Sequence, residues 1–232
     1  MAGCGGHHRN TTASVPPPPE ADSSVSTAPK PAVPTPAAEP EPGILIPPTA
    51  KVIYTETGWA SWYGPSYHKR KAANGEVYDM NGMTAAHRTL PLNSIARVTN
   101  LKTGHSELLR ITDRGPFVNN RIIDLSKLAA QKLDVFGPGT AKVKIEVLQS
   151  PAPIDQGGRW CVQIGAFKNS DEATALKDKL SRRYQTAKVL QFTSPIGEDW
   201  LRVRVRDDDK QRAQALMQET QTEAGMFLVR LD

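Results

Sequence analysis

Between residues 71 and 89 the chain reads KAANGEVYDMNGMTAAHRT, placing Glu76, Asp79 and His87 in a stretch with almost no apolar periodicity. Two acids and an imidazole in a loop are either solvated charges or parts of a site. A second candidate, TDRGPF at 112–117, comes directly off a β-prone run. Asp113 ends that run, Arg114 follows, and Gly115-Pro116 forces a turn. Side chains at such junctions are exposed yet rigidly held, which suits catalysis. Each residue also has an ordinary reading. Asp113 can cap the turn and pair with Arg114, Glu76 can be a turn acid after Asn74-Gly75, and His87 can be packed or solvent-facing. Together they fit glycosidic cleavage, where one carboxyl group protonates the leaving oxygen and a second often acts on the other side. A neighbouring histidine can orient one acid, and environment can split two acids into different roles.

The elements around these residues are short. GWASWYG (58–64) opens a first domain, and SIARVTN (94–100) and SELLRIT (106–112) flank a Gly104 turn as a β-hairpin. In IDLSKLAAQKL (123–133), Leu125, Leu128, Ala129 and Leu133 recur at helical spacing, with Asp124 near the start. AKVKIEVLQ (141–149) alternates, with Val143, Ile145 and Val147 inward. Short strands, one short helix and long loops predict a small β-barrel over 56–149.

SPAPIDQGG (150–158) reads as a linker, and residues 159–232 have a β-α-β-β-α-β rhythm. The first helix, NSDEATALKDKLSRRY, has Asn169 and Glu172 at capping-box spacing and an Ala173, Leu176, Leu180 stripe. The second, DDKQRAQALMQET, carries acids in its first turn. Strand period places Val162, Ile164, Val203 and Val205 against the helices. Cys161, Gln163, Gly165 and Phe167, with Arg202 and Arg204, then share an open face. An aromatic, an amide and arginines there predict a binding platform.

Residues 1–55 form a different kind of chain. Twelve of the 19 prolines fall between Val15 and Thr49, with few large apolar residues, so this stretch reads as a disordered, partly polyproline tether. The net charge of +5 suits an anionic partner. The two cysteines, Cys4 and Cys161, have no metal-binding spacing, and neither a disulfide framework, a metal nor a cofactor is expected. MAGCGG matches the end of a bacterial lipoprotein signal, making Cys4 a lipidation candidate and the tether a leash to a membrane.

The run GWASWYG…YHKRKAANGEVYDMNGMTAAHRTLPLNSIARVTNLKTG…RITDRGPFVNNRIIDLS resembles the rare lipoprotein A family of septal-ring lytic transglycosylases. Residues 159–232, with CVQIGAF as first strand, resemble a sporulation-related repeat (SPOR) domain. The resemblance implies a double-psi β-barrel that cuts peptidoglycan glycan strands. Its catalytic acids fall on Glu76 and Asp113 and its functional histidine on His87, which would fix the acid network. Trp62, Tyr63 and Tyr67 become candidates for stacking on sugars, and Arg114 for binding substrate. Gln163, Phe167, Arg202 and Arg204, with Trp200, become candidate contacts to glycan stripped of its peptide stems. It also implies an outer-membrane lipoprotein facing the periplasm and enriched at the septum. The chain departs from the family's HGRxTANGE at Lys69, for glycine, and Ala72, for threonine.

Two other readings fit parts of the chain. One is a lipoprotein that only holds peptidoglycan. The other is an RNA-binding protein, since the same βαββαβ rhythm with an aromatic, basic face describes an RNA-recognition sheet. The signal remnant, the tether and the barrel motifs oppose nucleic acid.

Overall fold

A computed structural model describes residue 46 and residues 50–232. Cys4 and the Pro-rich stretch up to Thr49 lie outside the described residues, apart from Ile46. The first domain is a closed six-stranded barrel, with strands in the order β1-β5-β2-β4-β3-β6. They are β1 Tyr54–Trp62, β2 Thr84–His87, β3 Ile95–Asn100, β4 Ser106–Asp113, β5 Arg121–Leu125 and β6 Ala141–Gln149. Two parallel pairs, β1 with β5 and β2 with β4, cross through otherwise antiparallel neighbours. This is the double-psi arrangement expected from the sequence.

The barrel is filled as strand period requires. Val143, Ile145 and Val147 are fully buried, together with Ala60, Val98, Leu109, Ile111, Ile123 and Leu125. One element differs from the helical reading of 123–133. Ile123, Asp124 and Leu125 are barrel strand, and the helix α1 spans only Lys127–Lys132. A short apolar run is ambiguous between strand and helix. Here pairing with β1 and β2 claims it, and the Ser126 hydroxyl then caps α1 by accepting from Ala129 N at 3.2 Å.

The second domain is a four-stranded antiparallel sheet, ordered β10-β7-β9-β8, with two helices against it. Its elements are β7 Trp160–Phe167, α2 Ser170–Arg183, β8 Lys188–Thr193, β9 Asp199–Arg204, α3 Lys210–Glu219 and β10 Gly225–Arg230. Asn169 caps α2 by accepting from Asp171 N at 2.8 Å, and no described bond closes the box through Glu172. α3 starts later than expected, so Asp209 is its cap and no acid lies in its first turn.

Val162, Ile164 and Val203 pack in the helix-facing core as expected. Phe167 does not stay on the opposite face: it joins that same core and is 7% exposed. The cause is a one-residue bulge, because Ile164 pairs with Leu201 while Phe167 pairs with Asp199. An extra residue on one strand reverses the alternation beyond it. Gly165 sits in the bulge at φ +153, where an added Cβ would lie 2.6 Å from Cε3 of Trp200.

The segment between the domains is pinned. Arg230, 1% exposed, donates from Nη1 to Pro153 O at 2.7 Å and from Nε to Asp232 Oδ1 at 3.3 Å. Gly158 leaves room for that guanidinium, since a Cβ there would meet its Nε at 2.6 Å. Gly165→Ala forces Trp200 out of its place, and its expected cost is about 1–3 kcal/mol of overpacking. Urea denaturation checks this, and an unchanged midpoint would contradict the close packing of Trp200 on Gly165.

Candidate active site

Asp113 ends β4, and its placement is completed by a hairpin distant in sequence. Residues 71–77 fold back through a Lys71–Val77 bridge around Asn74-Gly75, where Gly75 has φ +93. Asn74 Oδ1 accepts from Glu76 N at 3.1 Å, the side-chain turn that Asx residues favour. The hairpin docks onto β4 through Asn74 N to Thr112 O at 3.1 Å and Ala73 N to Asp113 Oδ1 at 3.0 Å. Arg114 N donates to the same Oδ1 at 2.8 Å, while no described residue bonds Oδ2. One carboxylate oxygen is thus held by two amides, and the other has no described hydrogen-bond partner. Burial pushes the Asp113 carboxyl above its ordinary range, outweighing the two amides and the nearby arginines.

Glu76 sits on the same hairpin in a different state. Arg110 on β4 grips it with both terminal nitrogens, Nη1 to Oε1 and Nη2 to Oε2, each at 2.7 Å. The Arg110 hydrogen bond holds the Glu76 carboxyl below its ordinary value, and its side chain is 53% exposed. The two acids are therefore pushed in opposite directions, one toward retaining its proton and one toward staying ionised. Asp79 remains a turn residue whose Oδ1 accepts from Asn81 N at 2.9 Å.

His87 is not beside either acid. It is 3% exposed at the end of β2, and its Nδ1 accepts from Thr89 N at 3.2 Å and Leu90 N at 3.0 Å. Nε2 must then carry the proton, which it donates to Glu56 Oε2 at 3.0 Å. Burial pushes the imidazole down, so it stays neutral, while its hydrogen bond and that of Tyr54 hold Glu56 ionised against the upward push of burial. The expectation that His87 fixes Glu76 or Asp113 is corrected: it fixes the 87–90 corner. The link to the site is indirect, since His87 O and Leu90 O accept from Arg114 Nη1 at 3.0 and 2.8 Å.

Arg114 is likewise not a free substrate-binding group. Its third described contact runs from Nη2 to Asp232 O at 2.7 Å, in the second domain. Trp62 is also displaced from the expected role. It packs on the barrel core and on Phe136, with ring centroids 4.7 Å apart. Tyr63 and Tyr67 are both half-buried, with ring centroids 6.0 Å apart. Both phenols are raised, first by burial and then by surrounding charges that include Asp113 and Asp124.

Asp124 is the residue that sequence reasoning missed. It was read as lying near the start of a helix, but on β5 it turns toward the same loop, with Oδ2 3.8 Å from where a Gly115 Cβ would be. Its Oδ1 accepts from the Ser61 hydroxyl at 2.5 Å, and burial pushes its carboxyl up. A polar residue within the apolar run RIIDL was the available signal. Among the described residues no cluster of acids, histidines and cysteines has the geometry to hold a metal.

The departures from the family pattern have a local cost. Lys69 adopts φ 63, the left-handed conformation that glycine takes freely, which costs a residue with a Cβ about 1–2 kcal/mol. Ala72 is buried under the hairpin and donates to Glu76 O at 2.8 Å, so the hairpin closes without the threonine hydroxyl.

The candidate glycan contacts of the second domain divide. Gln163 and Trp200 are buried, at 2% and 6% exposed, on the face away from the helices. Arg202 shares that face, donating to Gln163 Oε1 at 3.3 Å and lying over Phe192. Arg204 is paired with Asp208 through both carboxylate oxygens, at 2.9 and 2.5 Å. The face expected to be open is covered, because Phe117 of the barrel packs on Trp200 and Phe227.

A depressed imidazole pKa ties stability to pH in a defined direction. The unfolded chain takes up a proton at His87 more readily than the folded one. Its contribution is therefore complete above about pH 6.5 and declines as pH falls below that value. Between pH 7 and 5 the thermal midpoint is expected to fall less steeply in His87→Gln than in the parent. At pH 7 the variant is expected to lose about 1–3 kcal/mol from amides left unpaired. Parallel slopes in the two melting series would contradict a buried neutral His87.

Comparison with known proteins matches both domains. Residues 55–145 match the family model described as lytic transglycolase, and residues 156–227 match the SPOR domain. The chain is 42% identical over 163 residues to the endolytic peptidoglycan transglycosylase RlpA of Campylobacter jejuni, covering 60% of this chain and 58% of that protein. It is 48% identical over 133 residues to the Neisseria meningitidis protein of that name, covering 56% of each. With the Pseudomonas aeruginosa RlpA the identity is 57% over 93 residues, 40% of this chain and 27% of that one. The chain spans about half the length, or less, of these curated relatives. The chain thus carries a lytic transglycolase domain followed by a SPOR domain, and at 42–57% identity over the matched regions it is similar to those RlpA proteins.

Proposed function

We propose that the protein is a lytic transglycosylase that cleaves peptidoglycan glycan strands, with Asp113 as general acid and then general base. The observation that carries this reading is the state of Asp113. Its carboxyl is raised by burial, one oxygen is fixed by two backbone amides, and the other has no described hydrogen-bond partner. A carboxyl shifted toward its protonated form is what protonation of a leaving oxygen requires.

Asp113 donates its proton to the glycosidic oxygen between N-acetylmuramic acid and N-acetylglucosamine as the C1–O bond breaks. The resulting carboxylate then takes the proton of the muramoyl C6 hydroxyl as O6 bonds to C1. The product is a 1,6-anhydro sugar, and no water is consumed. Because the nucleophile belongs to the reacting sugar, it is present at high effective concentration. Glu76, held as an anion by Arg110, stabilises positive charge developing at C1 or orients the sugar. Asp124 accepts hydroxyl groups of the substrate from the β5 side, and Tyr63 and Tyr67 give the sugars an apolar surface. His87 acts through the 87–90 corner and Arg114. The second domain binds glycan stripped of peptide stems. Lipidation at Cys4, outer-membrane anchoring and enrichment at the division septum complete the proposal, with the net positive charge suited to an anionic wall.

Digestion of purified sacculi with mass spectrometry of the released fragments tests the reading. Anhydro-muramic ends are expected from the parent, and Asp113→Asn is expected to lower their rate of release by about 10²–10⁴-fold. The rate is expected to fall as pH rises through the Asp113 pKa, since the acid must be protonated. Glu76→Gln is expected to keep this alkaline limb, because its own carboxyl is already ionised there. Binding of sacculi without anhydro products would instead support a protein that only holds glycan.

A further inference from the structure

The face of the second domain that would meet glycan is occupied by the barrel. Phe117 follows the Asp113-Arg114-Gly115-Pro116 turn, and its ring lies 5.5 Å from Trp200 and 5.8 Å from Phe227. Both distances are ordinary for packed aromatic pairs. Arg88 of the barrel stacks over the other side of this cluster, 5.7 Å from the Phe227 ring, while its Nη1 holds Pro116 O at 2.9 Å. The backbones are joined as well, with Arg230 N donating to Arg88 O at 3.0 Å and Leu92 N to Asp232 O at 3.2 Å. Cys161 is completely buried beneath the cluster.

The fit is incomplete in one respect. Arg202 Nε is buried on this face without a hydrogen-bond partner. A charged donor left unpaired in the interior is costly, and a ligand that supplies an acceptor relieves the cost.

We infer that the Gly115–Phe117 loop is the resident occupant of this face, and that a glycan strand must displace it to bind there. This rests on the glycan reading of the second domain given above. The ligand is a glycan whose lactyl groups are free carboxylates, since such a group gives Arg202 the acceptor that the docked loop does not. Capture of that glycan moves the sheet off the loop beside Asp113 and Arg114. Targeting and access to the acid are thereby coupled through one shared surface.

Cys161 provides a direct readout in the full chain carrying Cys4→Ser. Maleimide labelling at fixed pH is expected to be slow in the parent, and about tenfold faster in Phe117→Ala, which removes the interface's aromatic anchor. Phe117→Leu, which keeps the loop's bulk, is expected to fall between the two, and a retained cooperative melt excludes general unfolding. Amidase-stripped glycan strands are expected to accelerate labelling of the parent and to bind several-fold more tightly to Phe117→Ala. Equal glycan affinity in parent and Phe117→Ala overturns the competition. So does glycan that binds the parent without changing its labelling rate. If neither chain binds stripped glycan, the glycan reading of the second domain fails, and the inference with it.

Discussion

Arg114 joins three parts of the chain that are far apart in sequence. Its guanidinium donates to the carbonyls of His87, Leu90 and Asp232, and its own amide donates to Asp113. A buried guanidinium needs acceptors for its donors, and here main-chain oxygens take Nη1 and Nη2 while Nε has no described partner. The 87–90 corner must therefore hold its shape, and the neutral imidazole of His87 holds it with two accepted amides and one donated proton. The acid, the corner and the tail of the second domain are fixed by one side chain. It stands next to the proposed proton donor without taking part in proton transfer.

Three carboxyl groups near this point differ because their surroundings differ. Glu76 is half-exposed and gripped by Arg110, so it stays ionised. Asp113 and Asp124 are withdrawn from water and lean toward the protonated form. Separation of acid and anion within a small space is what glycosidic chemistry without a cofactor demands. Here it follows from the barrel's shape. The hairpin at 71–77 carries Glu76 outward, while the β4 end and β5 hold the two aspartates away from water.

The second domain shows how one extra residue changes a surface. The bulge between Ile164 and Phe167 sends Phe167 into the helix-facing core and leaves Gly165 under Trp200. Trp200 then becomes the aromatic centre of the opposite face, with Phe227 and Phe192 beside it. That face keeps Gln163 and Arg202, as expected from strand period, but it meets the barrel's Phe117 where open solvent was anticipated.

Much of the architecture was legible because it depends on local patterning. The alternation of Val143, Ile145 and Val147, the Ala173 and Leu180 stripe, and the Asn74-Gly75 turn each follow from strand or helix period or from turn chemistry. Glu76 and Asp113 were also visible, as acids in a turn and at a strand end. What sequence could not carry was any property set by a non-local partner. Whether IIDL was helix or strand depended on β1 and β2, and with it the place of Asp124. Whether His87 served an acid or a corner depended on Glu56, 31 positions away, and on which ring nitrogen the backbone claimed. The proton preference of Asp113 depended on burial by segments that meet only when the chain folds. Periodicity is written residue by residue, whereas desolvation and pairing are properties of the assembled neighbourhood, and in this protein those decide the chemistry.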